Sequence, residues 1–462
     1  MSDTTPSTID LQSLSRSLDG DAVLPGEETW DSARQAWNLA VDQHPAAVAH
    51  AADAADVARV VDFARQHGLR VAVQATGHGA GAMGPLEDTV LLKTDRMTGV
   101  EIDPAASRAR IEAGTLSADV AVGAGEAGLA ALLGSSPDTG VIGFTLGGGA
   151  GWLGRRYGLA ANAVTAIEIV TADGRRRRVD PENDAELFFA LRGGGGSFGA
   201  VTAIEVELYP VAEVYAGTVA WPVEMAGEIA HAYRDWLASA PEEITAQLRF
   251  LNLPPLPDLP EPLRGRSLVD VTGAHVGDPA AGEELMRPLR EIGGAVWDTW
   301  GVQPAAALRQ LAMDPEQPVP GVGDHVLLGE LTPELGDALV RLGGADSGSP
   351  LLGLQIRQLG GALGREPDGA GALGSLDGEH VVFGVGAVFD EAARAAVNEH
   401  LDLMISELAP YSTGRRFLNF ADRPGDVSAF FSPEVWRRLT AAKAEYDPGD
   451  LFRANHPIPR AG

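Results

Sequence analysis

Glycine is bunched along this 462-residue chain, and three runs, 76–84, 140–158 and 193–199, each set several glycines close together beside a stretch that reads as a β-strand. Glycine costs backbone entropy, so a cluster of it marks a left-handed turn or a close approach. Successive small residues also leave backbone N–H groups uncovered. Such nests bind anions, a pyrophosphate among them, and they let a flat ring lie on the chain.

The flanking elements read as follows. Val57, Val60, Val61 and Ala64 recur at helical spacing and predict a helix over 53–67, with Gly68 as its stop. Strands are expected at 69–75, 89–93 and 108–113, and Ser117 is placed to cap a helix running to about 133. A hairpin of 166–171 and 175–180 turns at Asp173-Gly174, a helix near 184–191 follows, and a strand at 200–209 closes an α+β part over 1–210. Beyond it, 254–265, 343–350 and 364–378 read as loops. Strands at 352–359 and 380–389, with helices near 225–238, 280–292 and 390–408, predict a second α+β domain over 211–412, an antiparallel sheet covered by helices. The end carries a helix near 432–444 and the turn Asp447-Pro448-Gly449.

Several formal motifs fail on context. Gly79 to Gly84 fits G-x-G-x-x-G, but a dinucleotide fingerprint must open a helix, and here Pro85 and a strand follow. Gly149 to Gly154 fits it too, without a βαβ frame. Gly195 to Gly199 fits G-x-S-x-G, yet a nucleophile elbow needs a strand before it and a helix after it, the reverse of what stands here. The ten histidines are scattered with no metal-ligand spacing. A chain without cysteine has no disulfide, thiolate nucleophile or iron–sulfur cluster. A net charge of −29 argues against nucleic acid and anionic membranes as partners. With a polar start and no long apolar run, a cytoplasmic protein, monomer or homodimer, is the expectation.

Four segments, in order and spacing, resemble the vanillyl-alcohol-oxidase superfamily with its p-cresol-methylhydroxylase (PCMH) type FAD domain, and within it the berberine-bridge-enzyme-like members. They are Thr76-Gly77-His78-Gly79, the run Gly143-Phe144-Thr145-Leu146-Gly147-Gly148-Gly149-Ala150-Gly151-Trp152, the run 191–199, and the tail 446–455. The resemblance spans about 40–462. It implies a two-lobed α+β fold in which 413–462 returns to complete the FAD lobe, and FAD bonded covalently to His78. The implied cofactor contacts are Thr76, Gly77, His78, Gly79, Ala80 and Gly81, then Pro137, Asp138 and Thr139. They continue through Gly143, Thr145, Gly147, Gly148, Gly149, Gly151 and Trp152, then Gly199, Val201 and Asn455. Relatives that anchor FAD twice use a cysteine near 135–141; none exists here, so a single link is implied.

The resemblance also locates the substrate face. Gln355 and Arg357 share one side of a strand by period two, and Gln355 stands where relatives carry a glutamate. Phe417 stands where some sugar oxidases carry a catalytic tyrosine, which leaves Tyr157, Tyr411, Tyr446 and His325 as candidate bases. The spacing also resembles the enterocin-pathway flavoproteins, in which the segment holding Thr139 and Phe144 shapes a dioxygen pocket. Three functions are thereby implied: an oxidase of a small polyketide or phenolic substrate using dioxygen, a flavin-N5-oxide oxygenase, and a flavin-binding protein without turnover.

Overall fold

The computed structural model describes residues 9–461. Its first sheet holds β1 (Asp21–Val23), β2 (Ala47–His50), β3 (Arg70–Gln74) and β4 (Thr89–Lys93) in the order β1-β2-β4-β3. β2, β4 and β3 run parallel, and β1 runs antiparallel to β2. The helix Ala54–His67 lies on it through Val57, Val60, Val61 and Ala64, the stripe that its sequence period predicts. Asp53 caps its start, and Gly68 ends it in a left-handed conformation.

A second, antiparallel sheet follows: β5 (Val100–Asp103), β6 (Arg108–Glu112), β7 (Val164–Val170), β8 (Arg176–Val179) and β9 (Ala200–Glu207), ordered β5-β6-β9-β7-β8. The hairpin at Asp173-Gly174 forms as expected, with Gly174 at positive φ. The helix at Ser117 differs from expectation. It ends at Glu126, because Gly128 takes a left-handed turn and Ala130 then pairs with Tyr209. Ser117 is the first helical residue rather than the cap, and its hydroxyl donates to the Thr139 carbonyl.

The third sheet has eight antiparallel strands: β10 (Glu213–Pro222), β11 (Ile244–Asn252), β12 (Ser267–His275), β13 (Trp297–Asp298), β14 (Gly301–Pro304), β15 (Gly321–Leu328), β16 (Gly353–Gln358) and β17 (His380–Ala387). Its main path is β13-β10-β12-β11-β16-β17-β15, with β14 also on β10. Strand alternation gives it two unlike faces. One presents Val219, Trp221, Leu248, Val271, Ile356 and Val382 to the helices Ala226–Leu237, Pro279–Arg290, Pro333–Gly343 and Glu391–Leu408. The other carries Thr218, Gln247, Arg249, Asp270, Thr272, His325, Gln355 and Arg357, and turns toward the glycine runs.

The last fifty residues pack back on the second sheet. Phe430, Phe431, Leu439, Ala442 and Ile458 share one core with Ile111, Ile167, Phe198 and Ile204. Val71 and Arg453 exchange backbone hydrogen bonds with the tail and the edge of β3. Lys443, fully buried, donates to Asp447, to the Ser197 carbonyl of the third glycine run and to the Phe452 carbonyl. Asp447 in turn accepts from the Leu451 and Phe452 N–H groups. No described helix is long and apolar enough to cross a membrane.

Removing one partner of a buried, hydrogen-bonded ion pair strands the other charge in a medium that cannot solvate it. Asp447→Ala is therefore expected to destabilise the protein by about 3–5 kcal/mol. Urea unfolding checks this, and a loss as small as that of an exposed ion pair would show that the pair does not anchor the tail.

Candidate active site

The three glycine runs, far apart in the chain, meet in one place. A Cβ at Gly140 would lie 3.1 Å from the Ala75 Cβ, the Gly195 N–H donates to the Leu146 carbonyl, and a Cβ at Gly79 would lie 2.9 Å from the Asn455 Nδ2. Two sheets and the returning tail thus converge, as their strand ends lead into the runs. Gly77 turns the chain at φ 91°, between Ala36 and the Gln74 side chain, and so aims His78 away from β3.

The His78 imidazole is held from three sides. Thr76 Oγ1 pairs with Nδ1 at 2.8 Å, Trp37 stacks on the ring at 4.0 Å and 17°, and Asp138 Oδ1 lies 3.5 Å from Nε2. Asp138 itself accepts from Ser136 and from the Trp37 indole. Burial alone raises a carboxyl pKa, but the neighbouring His78 imidazole and the hydrogen bonds from Ser136 and Trp37 outweigh it and hold Asp138 below the usual carboxylate range. His78 Nε2 has no hydrogen-bond partner. Sequence reasoning missed Trp37; a lone tryptophan some forty residues upstream carries no local signal.

Beneath the turn lies Lys93, one of only two lysines in the chain. Its ammonium donates to the Gln35 carbonyl and to Gln74 Oε1, and burial pushes it down to about 8. Gln74 also donates to Gln43.

The second run is braced by Asn419. Its Oδ1 accepts from the Gly149 N–H at 2.9 Å, and its Nδ2 donates to the Phe144 carbonyl at 2.9 Å. Several expected contact residues have packing duties of their own. A Cβ at Gly147 would press on Asn419, at Gly148 on Leu373 and Phe417, at Gly149 on Ala160 and Phe144, at Gly151 on the Leu133 carbonyl, and at Gly199 on Ile169. The Phe144 ring is wedged between Gly134 and Gly149. Thr145 bonds back to the Val141 carbonyl, the Pro137 carbonyl accepts from Ala118, and Val201 lies buried in β9 opposite Ile169. Ala80 is buried in the turn after His78, and at Gly81 a Cβ would meet the Asp422 carbonyl. Gly143 differs: nothing lies within 4 Å of its Cβ position, and the same holds for Gly195 and Gly196.

The polar face of the third sheet meets this cradle. Arg155 donates to the Leu359 carbonyl, and Arg357 lies 5.4 Å from both the Trp152 and Phe420 rings. Trp152 is buried with Ala130, Leu132, Val214 and Ala274, at the junction of the two parts. Phe417, Phe420 and Phe383 form a contiguous aromatic wall. Gln355 is half-buried on the same face as Arg357.

None of the four candidate bases stands free at Gly143. His325 is buried, accepts from the Phe417 N–H, and its pKa is lowered by burial against the pull of Asp324. Tyr157 packs on Tyr209, Tyr446 on the second-sheet core and Tyr411 on the third-sheet core. Sequence reasoning passed over Asp422, between Gly81 and Gly323, whose carboxyl is pushed up to about 7 by close packing and by the like charge of Asp324. Among the described residues no cluster suits a metal ion.

A flavin dinucleotide fits these residues on two observations. A shielded imidazole nitrogen has no hydrogen-bond partner, and the Gly143 and Gly195–Gly196 backbones face open space rather than packed side chains.

Residues 45–180 match the family model of an FAD binding domain, and 416–459 match the berberine and berberine-like model. The chain is 28% identical to the (R)-6-hydroxynicotine oxidase of Paenarthrobacter nicotinovorans, over 96% of this chain and 98% of that one. It is 32% identical to the glucooligosaccharide oxidase of Sarocladium strictum over 48% of this chain and 46% of that one. The crystal structure of 6-hydroxy-D-nicotine oxidase from Arthrobacter nicotinovorans superposes with a TM-score of 0.82 at 26% identity, covering 96% of this chain and 98% of that chain. The Physcomitrella patens BBE-like 1 structure superposes with a TM-score of 0.85 at 19% identity, covering 98% of this chain and 99% of that chain, a likeness of fold.

Two outcomes follow from this geometry. Asn419→Ala leaves the Gly149 N–H and the Phe144 carbonyl without partners and should cost about 1–3 kcal/mol for each group left buried and unpaired; thermal unfolding measures it, together with a fall in bound flavin. Lys93 titrates lower folded than unfolded, so its penalty is full below about pH 8 and is relieved as pH rises from there toward the ordinary lysine value of 10.5. The stability of the wild type relative to Lys93→Met should therefore climb across that window, and a flat difference would contradict the burial of a charged amine.

Proposed function

The chain belongs to the PCMH/berberine-bridge-enzyme-like superfamily of FAD-linked oxidoreductases, and we propose that it holds FAD covalently through His78 and oxidises a small organic substrate, passing the electrons to dioxygen. The observation that carries this reading is the fixed imidazole of His78, whose Nε2 has Asp138 beside it and no hydrogen-bond partner. When bound, the flavin supplies a two-electron acceptor for a C–H bond next to oxygen or nitrogen, and a route from there to dioxygen.

The residues of the chain have separable tasks. The N–H groups of the turn 76–81 are a nest for the phosphates, with the Lys93 ammonium beneath it. Trp37 and Thr76 set the plane and tilt of the imidazole. Asp138, held ionised by its hydrogen bonds, lies beside His78 Nε2 and would take up the imidazole proton if that ring were joined to the flavin. Asn419 keeps the second run open at Gly143. Phe383, Phe417 and Phe420 exclude water from one wall of the cleft, which suits an aromatic or polyketide-derived substrate. Gln355 and Phe417 hold no transferable proton near neutral pH, so the substrate must lose its proton to another group or to water.

Acid-precipitated wild-type protein is expected to stay yellow, and His78→Ala to lose that colour. Asp138→Asn should retain FAD but release a large part of it on precipitation, because the linking nitrogen lacks its proton acceptor. Complete release of flavin from the wild type would end the covalent reading. Peroxide formed in step with substrate consumption marks an oxidase; oxygen incorporated into product, with no peroxide, would mark an oxygenase instead.

A further inference from the structure

Two arginines stand on the cleft face of the third sheet, and they are treated differently. Arg249 is neutralised: its guanidinium lies 2.8 Å from Asp270 and also bonds Thr272 and the Ala312 carbonyl. Arg357, on the neighbouring strand β16, is also buried, at 5% exposure, yet among the described residues no carboxylate pairs with it. Its one described hydrogen bond runs from Nε to Gln247 Oε1, across the β11–β16 pair. Burial pushes the guanidinium down to about 10, which leaves it charged near neutral pH.

The neighbours of Arg357 share one property. Gln247 spends its oxygen on Arg357, and its Nε2 is then buried without a partner. The Trp152 indole Nε1 is also buried without a partner, in the ring that lies 5.4 Å from the guanidinium. The Gln247 amide nitrogen and the Trp152 indole nitrogen, both buried without a partner, are donors, and the two terminal nitrogens of Arg357 have no described hydrogen bond. An unpaired buried cation with unpaired donors is costly in a folded chain unless a ligand completes it. The complementary group accepts only, is planar and is negative, which describes a carboxylate; the nearby Trp152 and Phe420 rings favour a flat hydrocarbon attached to it.

We propose that the substrate is an aromatic or otherwise unsaturated organic acid, and that Arg357, with Gln247 Nε2 and Trp152 Nε1, anchors its carboxylate. The proposal rests on the reading of this cleft as the substrate site of a flavoenzyme. Arg357 is thus a specificity-determining residue, and Gln355, uncharged and two residues along on the same face, does not repel the acid.

The test is calorimetric titration of the holoenzyme with benzoate, 4-hydroxybenzoate and phenylacetate, each against its own amide. A charge-assisted bidentate contact predicts that acids bind about tenfold or more tightly than their amides. Arg357→Gln should erase that preference, and Arg357→Lys should restore part of it. If no acid outbinds its amide, or if Arg357→Gln keeps the preference, the proposal is overturned. Flavin content is measured on the same samples. Loss of flavin in Arg357→Gln with the acid preference intact would assign the guanidinium to the cofactor and also overturn the proposal. A wild type without flavin would instead sink the cofactor reading, and calorimetry would still report the acid preference.

Discussion

The hydrogen bonds of Asn419 to both ends of a six-residue stretch, the Phe144 carbonyl and the Gly149 N–H, are the constraint on which the cleft depends. A glycine-rich run has no side chains with which to hold its own shape, and its conformational entropy favours collapse or wandering. Here the shape is imposed from outside, by a residue almost three hundred positions downstream. The tail that delivers Asn419 is itself held by the buried Lys443–Asp447 pair, which reaches the third run at Ser197. A single returning segment thus braces two of the three runs, and Asn455 on that segment closes against the first at Gly79.

Electrostatics divides the cleft into two ends. At one, the His78 imidazole lies beside the Asp138 carboxylate, and the Lys93 ammonium donates to Gln35 and Gln74. At the other, Arg357 has no paired carboxylate and lies near two aromatic rings, while Arg249 beside it is paired with Asp270. Burial lowers the cost of neither arginine; only a partner does. The contrast between two arginines on adjacent strands of one sheet is what separates a structural charge from one kept for a ligand.

Local periodicity made much of the fold legible. The stripe of Val57, Val60, Val61 and Ala64, the turn at Asp173-Gly174 and the helix 391–408 are each decided by residues a few positions apart. The helix at Ser117 was misjudged, because its apolar pattern runs on toward Leu133 while the positive-φ turn at Gly128 and the pairing of Ala130 with Tyr209 end it early. Strands β11, β12 and β15 gave no clean signal. Their inward faces carry Gln247, Arg249, Asp270, Thr272 and His325, so polar residues stand where a half-buried strand in water would also place them.

The sequence by itself marked the three glycine runs and the histidine within the first, since glycine and imidazole chemistry depend on residue type and near neighbours. It also excluded a cysteinyl link to a cofactor, because no cysteine exists. Only the tertiary structure decided which glycines pack against neighbours and which face open space, that Trp37 stacks on His78, and that Arg357 lacks the carboxylate Arg249 has. The reason is physical: whether a polar group is satisfied depends on atoms within about 3 Å in space, and those atoms come here from segments hundreds of residues apart in the chain.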